Sequence, residues 1–254
     1  MDLQTIQPPK SISLFVKNIW SFEEKQESQK TILPFFADGY PGLMFQETAN
    51  GLWVSPHNKK MPSLFLYGQT IKPIELHMEG RYKLIVFQLY PFVLKSFFNV
   101  EAKDVNDNCY DLQQLENGGS IIQQLSRSKT KSRIDILTNL LLETFESKKQ
   151  TLDFTIRQAI QIILDNNGQF SIARLSEKIH LTQRTFERRF QKETGLSPKQ
   201  FSQVIQFQKS FEQFTLKEYN NLTDIVYANG FSDQSHFIRV FKAFTGKTPK
   251  KFPV

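Results

Sequence analysis

The sequence predicts an α+β protein of two domains, in which a β-rich N-terminal domain precedes an all-helical C-terminal domain. Three observations predict this fold class. The chain has 254 residues, a length typical of two domains. Short apolar runs fill the first third, whereas apolar residues recur at helical spacing from about residue 121 onwards. Hydrophobic residues make up 39% of the chain, which is enough for packed cores.

Closely spaced short strands in the first third predict a barrel or sandwich. The candidate strands are Gly42–Glu47, Leu52–Ser55, Ser63–Tyr67, Ile74–Met78 and Tyr82–Tyr90. Asn50-Gly51 predicts a tight hairpin between the first two, because both central residues of such a turn need positive φ. Pro91 then predicts a short helix over Phe92–Phe98, since Pro is tolerated at the first helical position.

A helix flanking the β domain is predicted over Ile121–Phe145. Its apolar stripe consists of Ile134, Leu137, Leu141 and Phe145, with Leu140 beside them. Two interpretations stay open: the stripe packs on the β domain, or it forms the seam of a homodimer. The polar stretch Ser147–Gln150 is the predicted boundary, which places the domains at residues 1–149 and 150–254.

The C-terminal domain is predicted to be all helical. After a helix striped by Ile156, Ala159, Ile160 and Ile163, Asn166-Asn167-Gly168 ends the first segment. The next predicted helices are Ile172–Ile179, Gln183–Thr194, Pro198–Phe214, Leu222–Asn229 and Gln234–Thr245. Thr182 and either Ser232 or Asp233 are expected to be N-caps. The pattern predicts two helix-turn-helix units, at about 172–194 and 222–245, joined by a linker helix at about 198–214.

One set of residues occurs twice in these units at a constant offset. Phe186, Arg188, Phe190, Thr194, Gly195, Pro198, Lys199 and Phe201 recur as Phe237, Arg239, Phe241, Thr245, Gly246, Pro249, Lys250 and Phe252. The two Phe residues of each copy are four apart and share one helix face, so they are expected to pin the helix to its core. Two matched basic helices suit a protein that reads successive grooves of DNA.

The charge distribution favours the same partner. The formal net charge is +7, with a pI of about 9.3. Residues 150–254 contain fifteen Lys and Arg against nine Asp and Glu, so the excess is +6 there and +1 in residues 1–149. A basic excess in the helical part predicts contact with a polyanion, here double-stranded DNA.

Side chains on the N-terminal turns of both repeated helices are the predicted base readers, because those turns reach base edges first. They are Gln183, Arg184, Glu187 and Arg188, then Gln234, Ser235, His236 and Arg239. Arg donates twice to guanine and Gln pairs with adenine, while Glu187 either accepts from cytosine N4 or pairs with a neighbouring Arg. The predicted phosphate contacts are Thr182, Lys192, Lys199, Ser232, Lys242 and Lys247.

The segment from about Phe154 to Phe252 resembles the DNA-binding domain of the AraC/XylS family of bacterial transcription regulators. The resemblance is carried by Gly230–Lys242 with Thr245–Pro249, and by Thr185–Phe190 with Thr194–Pro198. It implies about seven helices, two recognition helices that enter adjacent major-groove segments on one DNA face, and RNA polymerase as a partner. The N-terminal half is similar to the β-rich, cupin-like sensor or dimerisation domains of that family, through Tyr67–Thr70 and Phe87–Phe92.

The resemblance implies that the N-terminal domain binds a small effector. An aromatic pocket is one interpretation of Trp53, Phe65, Tyr67, Phe87 and Tyr90; a β core built from these residues is the other. In the second case the regulator is independent of any ligand and its N-terminal domain only dimerises.

An enzyme is the remaining alternative. A cupin-type metal site would have to use His57 and His77 with Glu47 or Glu75, and the single cysteine, Cys109, excludes a thiolate zinc cage. The sequence predicts no catalytic activity, no metal and no cofactor.

The expected compartment is the cytoplasm. One cysteine fits a reducing environment, and the N-terminus lacks the pattern of a signal peptide. The longest apolar stretch, Leu84–Phe98, is interrupted by Gln88, Pro91 and Lys95, so no membrane contact is predicted.

Overall fold

A computed structural model of the chain describes residues 2–27, 29–114, 118–148 and 152–253. The predicted fold class is confirmed: strands fill the N-terminal part and helices the C-terminal part. The strands are β1 (Asp2–Ile6), β2 (Val16–Glu24), β3 (Lys30–Phe35), β4 (Gly42–Thr48), β5 (Trp53–Ser55), β6 (Lys59–Lys60), β7 (Leu64–Tyr67), β8 (Ile74–Glu79), β9 (Tyr82–Leu89) and β10 (Cys109–Asp111). The helices are α1 (Val93–Phe98), α2 (Gly118–Ser126), α3 (Thr130–Lys148), α4 (Phe154–Asp165), α5 (Ile172–Lys178), α6 (Gln183–Thr194), α7 (Pro198–Thr215), α8 (Leu222–Ala228) and α9 (Gln234–Thr245).

The strands form two separate antiparallel sheets, so the β part is a sandwich and not a closed barrel. One sheet has the order β1-β2-β9-β4-β7-β10 and the other β3-β8-β5-β6. Side chains alternate between faces along each strand. Met44, Phe65 and Val86 therefore point between the sheets, whereas Phe45 and Phe87 point from the first sheet towards the helices.

The predicted hairpin at Asn50-Gly51 is wrong. β4 pairs with β7 on one edge and β9 on the other, while β5 pairs with β6 and β8 in the second sheet. β4 is a central strand with both edges occupied by distant strands, so no edge is left for β5. Gly51 does adopt a positive φ of 89°, but its turn carries the chain from one sheet to the other.

The predicted flanking helix is two helices, α2 and α3, with a corner at residues 127–129. The buried Arg133 holds this corner, because its Nε donates to the Leu125 carbonyl at 2.8 Å and its Nη2 donates to the Glu47 carboxylate at 2.8 Å. Helical spacing alone did not reveal the break, since both helices continue the apolar pattern.

The stripe on α3 faces the chain's own core. Leu137, Leu141 and Phe145 are fully buried, and the Phe145 ring lies 4.5 Å from Phe15 and 4.7 Å from Phe97. This is the packing interpretation of the stripe. These three side chains are not available to form a seam with a second copy.

In the C-terminal part, six α-helices and the closing 3-10 helix Pro249–Lys251 are described. Both predicted recognition helices, α6 and α9, have the bounds that the sequence predicted, and both contact the linker helix α7. Their Phe anchors interlock on it: Phe190 lies 5.6 Å from Phe201, and Phe241 lies 6.0 Å from Phe207.

The β part and the helical part share a continuous hydrophobic core. Phe36 packs on Phe211 and Phe252 with ring centres 5.3 and 5.7 Å apart, and Gln208 on α7 donates to the Ala37 carbonyl. The division at residue 149/150 stays a prediction, and residues 149–151 lie outside those described.

Candidate nucleic-acid interface

The first predicted recognition helix, α6, begins and ends with the chemistry its sequence predicts. The Thr182 hydroxyl accepts from the Thr185 amide at 3.3 Å, and Gly195 ends the helix with a φ of 80°. Phe186 and Phe190 are fully buried. The helix therefore has one anchored face, and its predicted base readers Gln183, Arg184, Glu187 and Arg188 are all exposed.

The second predicted recognition helix, α9, repeats this arrangement with one difference at its start. Asp233, and not Ser232, is the N-cap, accepting from the His236 amide at 2.7 Å. Phe237 and Phe241 are fully buried, while Gln234, Ser235 and Arg239 are exposed. His236 is half-buried, because its ring packs edge-on against Phe231 at 5.5 Å.

The start of α9 carries a fixed negative charge. The hydrogen bond from the His236 amide, followed by one from the Ser232 hydroxyl, lowers the pKa of Asp233. Ser232 donates to Asp233 at 3.0 Å and lies 3.3 Å from His236 Nδ1. Its hydroxyl is thus already engaged, and so is that of Thr182, which bonds Thr185 Oγ1 at 3.0 Å.

Charged side chains on the exposed face of α6 are not paired with one another. Among the residues described, Glu187, Arg184 and Arg188 take part in no ion pair. Arg239 on α9 forms none either, although its charge helps to lower the pKa of Asp233. Of the two alternatives for Glu187, pairing with a neighbouring Arg is therefore not observed. The four side chains are free to meet a ligand.

A third arginine of α6, Arg189, has a structural task. It bonds Asp153 through two nitrogens at 2.9 and 2.6 Å, and Asp153 also caps α4 by accepting from the Ile156 amide at 3.1 Å. The hydrogen bonds that Arg189 donates to Asp153 raise the pKa of its guanidinium. Sequence reasoning assigned no role to this arginine; the Asp153 side chain just before the Ile156 stripe was the available signal.

The predicted phosphate lysines Lys192, Lys199, Lys242 and Lys247 are all exposed. Lys192 lies near the β part. The hydrogen bond from Lys95 is the main cause that lowers the pKa of Glu101, and the charge of Lys192 makes a smaller contribution. The charge of Lys192 therefore acts on a carboxylate of the β part as well as on any ligand of α6.

The β part holds the C-terminal end of α6 and leaves its first turns exposed. Ser96 on α1 donates to Glu193 at 3.0 Å, and Asn106 donates to the Gly195 carbonyl at 3.0 Å. A Cβ on Gly195 would lie 2.8 Å from the backbone of Ala102. These contacts connect residues far apart in the chain, and no sequence pattern predicted them.

A cavity of about 430 Å³ lies between the two sheets. Of the five predicted pocket residues, Phe65 and Tyr67 line it and Trp53, Phe87 and Tyr90 do not. Alternation along the strands explains this: Phe87 points to the other face of its sheet, and Val54, not Trp53, points inwards. Tyr90 lies beyond β9 and stacks on Phe92.

The cavity is lined by apolar and by polar residues. Sequence reasoning missed the apolar members Phe35, Met44, Val54, Met61, Ile74 and Leu76, and the polar members His57, Lys59, Thr70, Asn106, Asp107 and Asn108. Burial raises the pKa of Tyr67, whose hydroxyl has no hydrogen-bond partner among the described residues.

Nothing in the described part of the chain brings three His, Cys, Asp or Glu side chains together as a metal site. Of the candidates, His77 bonds Glu75 at 2.9 Å and His57 lines the cavity. No helix in the described ranges has the length and apolarity needed to cross a bilayer.

Two family models match the chain: a helix-turn-helix domain at residues 175–253 and a domain of unknown function, DUF6597, at residues 4–111. The transcriptional activator RhaS of Pectobacterium carotovorum is 24% identical over 156 residues, which cover 56% of this chain and 54% of that protein. RhaS of Yersinia pestis is 29% identical over 76 residues, covering 30% and 28%. The chain thus spans about half, or less, of these relatives.

Among solved structures, ToxT from Vibrio cholerae aligns with 99% of this chain and 97% of its own, at 14% identity and a TM-score of 0.48. The chain thus contains a helix-turn-helix domain at residues 175–253 and is similar to transcriptional activators of the RhaS type.

Proposed function

We propose that this protein is a sequence-specific transcription regulator that reads two adjacent major-groove segments of DNA with α6 and α9, under the control of a small effector in the N-terminal cavity. The observation that carries the proposal is the matched geometry of the two helices. Each buries two Phe residues and ends at a left-handed Gly, and each exposes the Arg that follows the first Phe, Arg188 or Arg239.

The exposed side chains suit base edges. Arg188 and Arg239 each have a guanidinium free to donate twice to guanine, and Gln183 and Gln234 at the first helical positions suit adenine. Glu187, unpaired within the described residues, suits the amino group of cytosine. Lys199, Lys242 and Lys247 supply charge for phosphates, which raises affinity without reading sequence.

Charges at the helix starts refine the phosphate contacts. Asp233 is ionised and lies beside Ser232, so a phosphate oxygen is disfavoured there unless Lys or Arg accompanies it. We assign the main phosphate role to Lys199, Lys242 and Lys247, with smaller contributions from Thr182, Ser232 and Lys192, whose groups also act within the chain.

The effector assignment rests on the cavity between the sheets, which is within the size range of small-molecule sites. The alternative is an N-terminal domain that only dimerises. Such a dimer could not use the α3 stripe as its interface, because Leu137, Leu141 and Phe145 are buried in the chain's own core. A second copy of the chain and RNA polymerase remain proposed partners, and the cytoplasm the proposed compartment. No catalytic step is part of the proposal.

Selection of bound sites from random double-stranded DNA by the full chain tests this function. A conserved motif in two parts, separated by about one helical turn (~10 base pairs), is expected because two helices docked on one face meet successive major grooves. Recovery of sequences that share no motif would contradict the proposal.

A further inference from the structure

A short segment, residues 102–108, lies between the cavity and the first recognition helix. It comprises the 3-10 helix Ala102–Val105 and the turn Asn106–Asn108 that follows. Asn106, Asp107 and Asn108 line the cavity, while Ala102 and Asn106 contact Gly195 at the end of α6. We name these residues the coupling segment.

The coupling segment is clamped on both sides by glycines. On the cavity side, the Gly68 amide donates to the Val105 carbonyl at 3.1 Å, and a Cβ on Gly68 would collide with that backbone. On the helix side, a Cβ on Gly195 would lie 2.8 Å from Ala102 and 2.9 Å from Lys103. Backbone packed directly on backbone leaves no compressible side chain between cavity and helix, so a displacement on one side is passed to the other.

Asn106 is the residue that contacts both sides. Its side-chain Nδ2 donates to the Gly195 carbonyl at 3.0 Å. Its side-chain Oδ1 is buried without a hydrogen-bond partner in the described chain. A buried acceptor without a hydrogen-bond partner raises the free energy of the folded state. An arrangement that gave the Asn106 oxygen a partner would remove this penalty. Asp107 beside it adopts a positive φ of 52° and accepts from the Ile71 amide at 2.8 Å.

We propose that the coupling segment, through Asn106, transmits occupancy of the cavity to the C-terminal end of α6 and so sets the position of Arg188 on DNA. The inference rests on the proposed function in taking the cavity as the effector site and Arg188 as a base reader. Occupancy moves residues 106–108 outwards, the hold on Gly195 weakens, and α6 shifts relative to α9. A ligand acts in this way only if it binds the two arrangements with different affinity.

Cavity-filling substitutions replace the unidentified effector in the test. Val54→Phe and Ile74→Phe place extra carbon in the cavity from two different strands. Hydrogen exchange of the full chain is measured without DNA over residues 191–197, which include the Gly195 amide bonded to Gln191 at 2.8 Å. In each variant that keeps the wild-type circular dichroism spectrum, exchange there rises by about threefold or more.

Asn106→Leu provides the decisive comparison. Without any cavity-filling substitution, Asn106→Leu speeds hydrogen exchange at residues 195–197. Exchange at residues 242–247, the corresponding end of α9, stays at the wild-type rate. In its background the fillers have no further effect on α6. Ser96→Ala is the matched control, because it removes another hydrogen bond to α6, at Glu193, from outside the cavity. The filler effect persists in it.

The proposal is overturned if Asn106→Leu leaves residues 195–197 unchanged, if folded fillers do not alter α6, or if their effect survives Asn106→Leu. Since no DNA is present, a failure of this mechanism is separate from a failure of DNA recognition.

Discussion

The guanidinium of Arg189 and the carboxylate of Asp153 form a two-point ion pair, at 2.9 and 2.6 Å, that joins α6 to the start of α4. The Asp153 carboxylate also caps α4. One side chain thus stabilises a helix end and orients α6, which turns Arg189 away from the exposed face that carries Arg184 and Arg188.

Replacing Asp153 is expected to lower the free energy of unfolding. Asp153→Ala removes the cap and the ion pair together, at a cost of about 1–3 kcal/mol. Asp153→Asn keeps a capping oxygen and loses the charge, so its cost is below about 1 kcal/mol. Urea unfolding measures both. Equal values for the two variants would show that the cap contributes nothing.

Arg188→Ala and Arg239→Ala are each expected to weaken binding to the selected site by about 1–3 kcal/mol and to relax base preference at one position.

Lys242→Ala is expected to weaken binding to all sequences alike, and to lower the slope of log affinity against log salt concentration by about 1. Gel shifts over a salt series measure these effects. Lys131→Ala, an exposed lysine on α3, is the control. Wild-type affinity and preference in both Arg variants would refute the base-reading roles.

Gly195→Ala is expected to destabilise the fold by about 1–3 kcal/mol, because Gly195 has a φ of 80° and an added Cβ would lie 2.8 Å from the Ala102 backbone. Gly119→Ala on α2 is the matched control, since a Cβ there meets nothing within 4 Å and Ala favours helix. Thermal melts compare the two. A melting temperature of Gly195→Ala at or above that of Gly119→Ala would contradict the close approach.

Asp38 is expected to make stability depend on pH. Burial raises the pKa of its carboxyl from 3.8 to about 6, against opposing hydrogen bonds from Tyr40 and Gln88 and the charge of Lys17. Between these two values the folded chain keeps a proton that the unfolded chain loses, so stability falls as pH rises from about 4 to 6. In urea unfolding, Asp38→Asn lacks this decline. A difference between wild type and variant that is constant across this range would disprove it.

A compound that binds the cavity is expected to stabilise the folded state by mass action and so to raise the melting temperature. At a hundred times its Kd, the free energy of unfolding increases by about 2.7 kcal/mol. Val54→Phe removes the shift because Val54 lines the cavity. Trp53→Phe retains it, since the neighbouring Trp53 points away. Thermal-shift screening of small molecules provides the measurement. Compounds that stabilise both variants equally bind elsewhere.

Local patterns predicted the helical part well and the sandwich less well. Caps, Phe spacing and terminal glycines are encoded within one helix, so the bounds of α6 and α9 were correct. β2 escaped notice because a register shift between Val16 and Asn18 interrupts its alternation. The Asn50-Gly51 hairpin failed because strand pairing is decided by which edges distant strands occupy.

The amino-acid sequence by itself determined the two helix-turn-helix units, their anchors and the exposed positions of Arg188 and Arg239, because helical periodicity assigns faces over a few residues. Only the tertiary structure decided that Asp153 holds Arg189, that Asn106 reaches Gly195 and that Val54 lines the cavity while Trp53 does not. These relationships join segments dozens of residues apart, and they depend on how sheets and helices pack rather than on spacing along the chain.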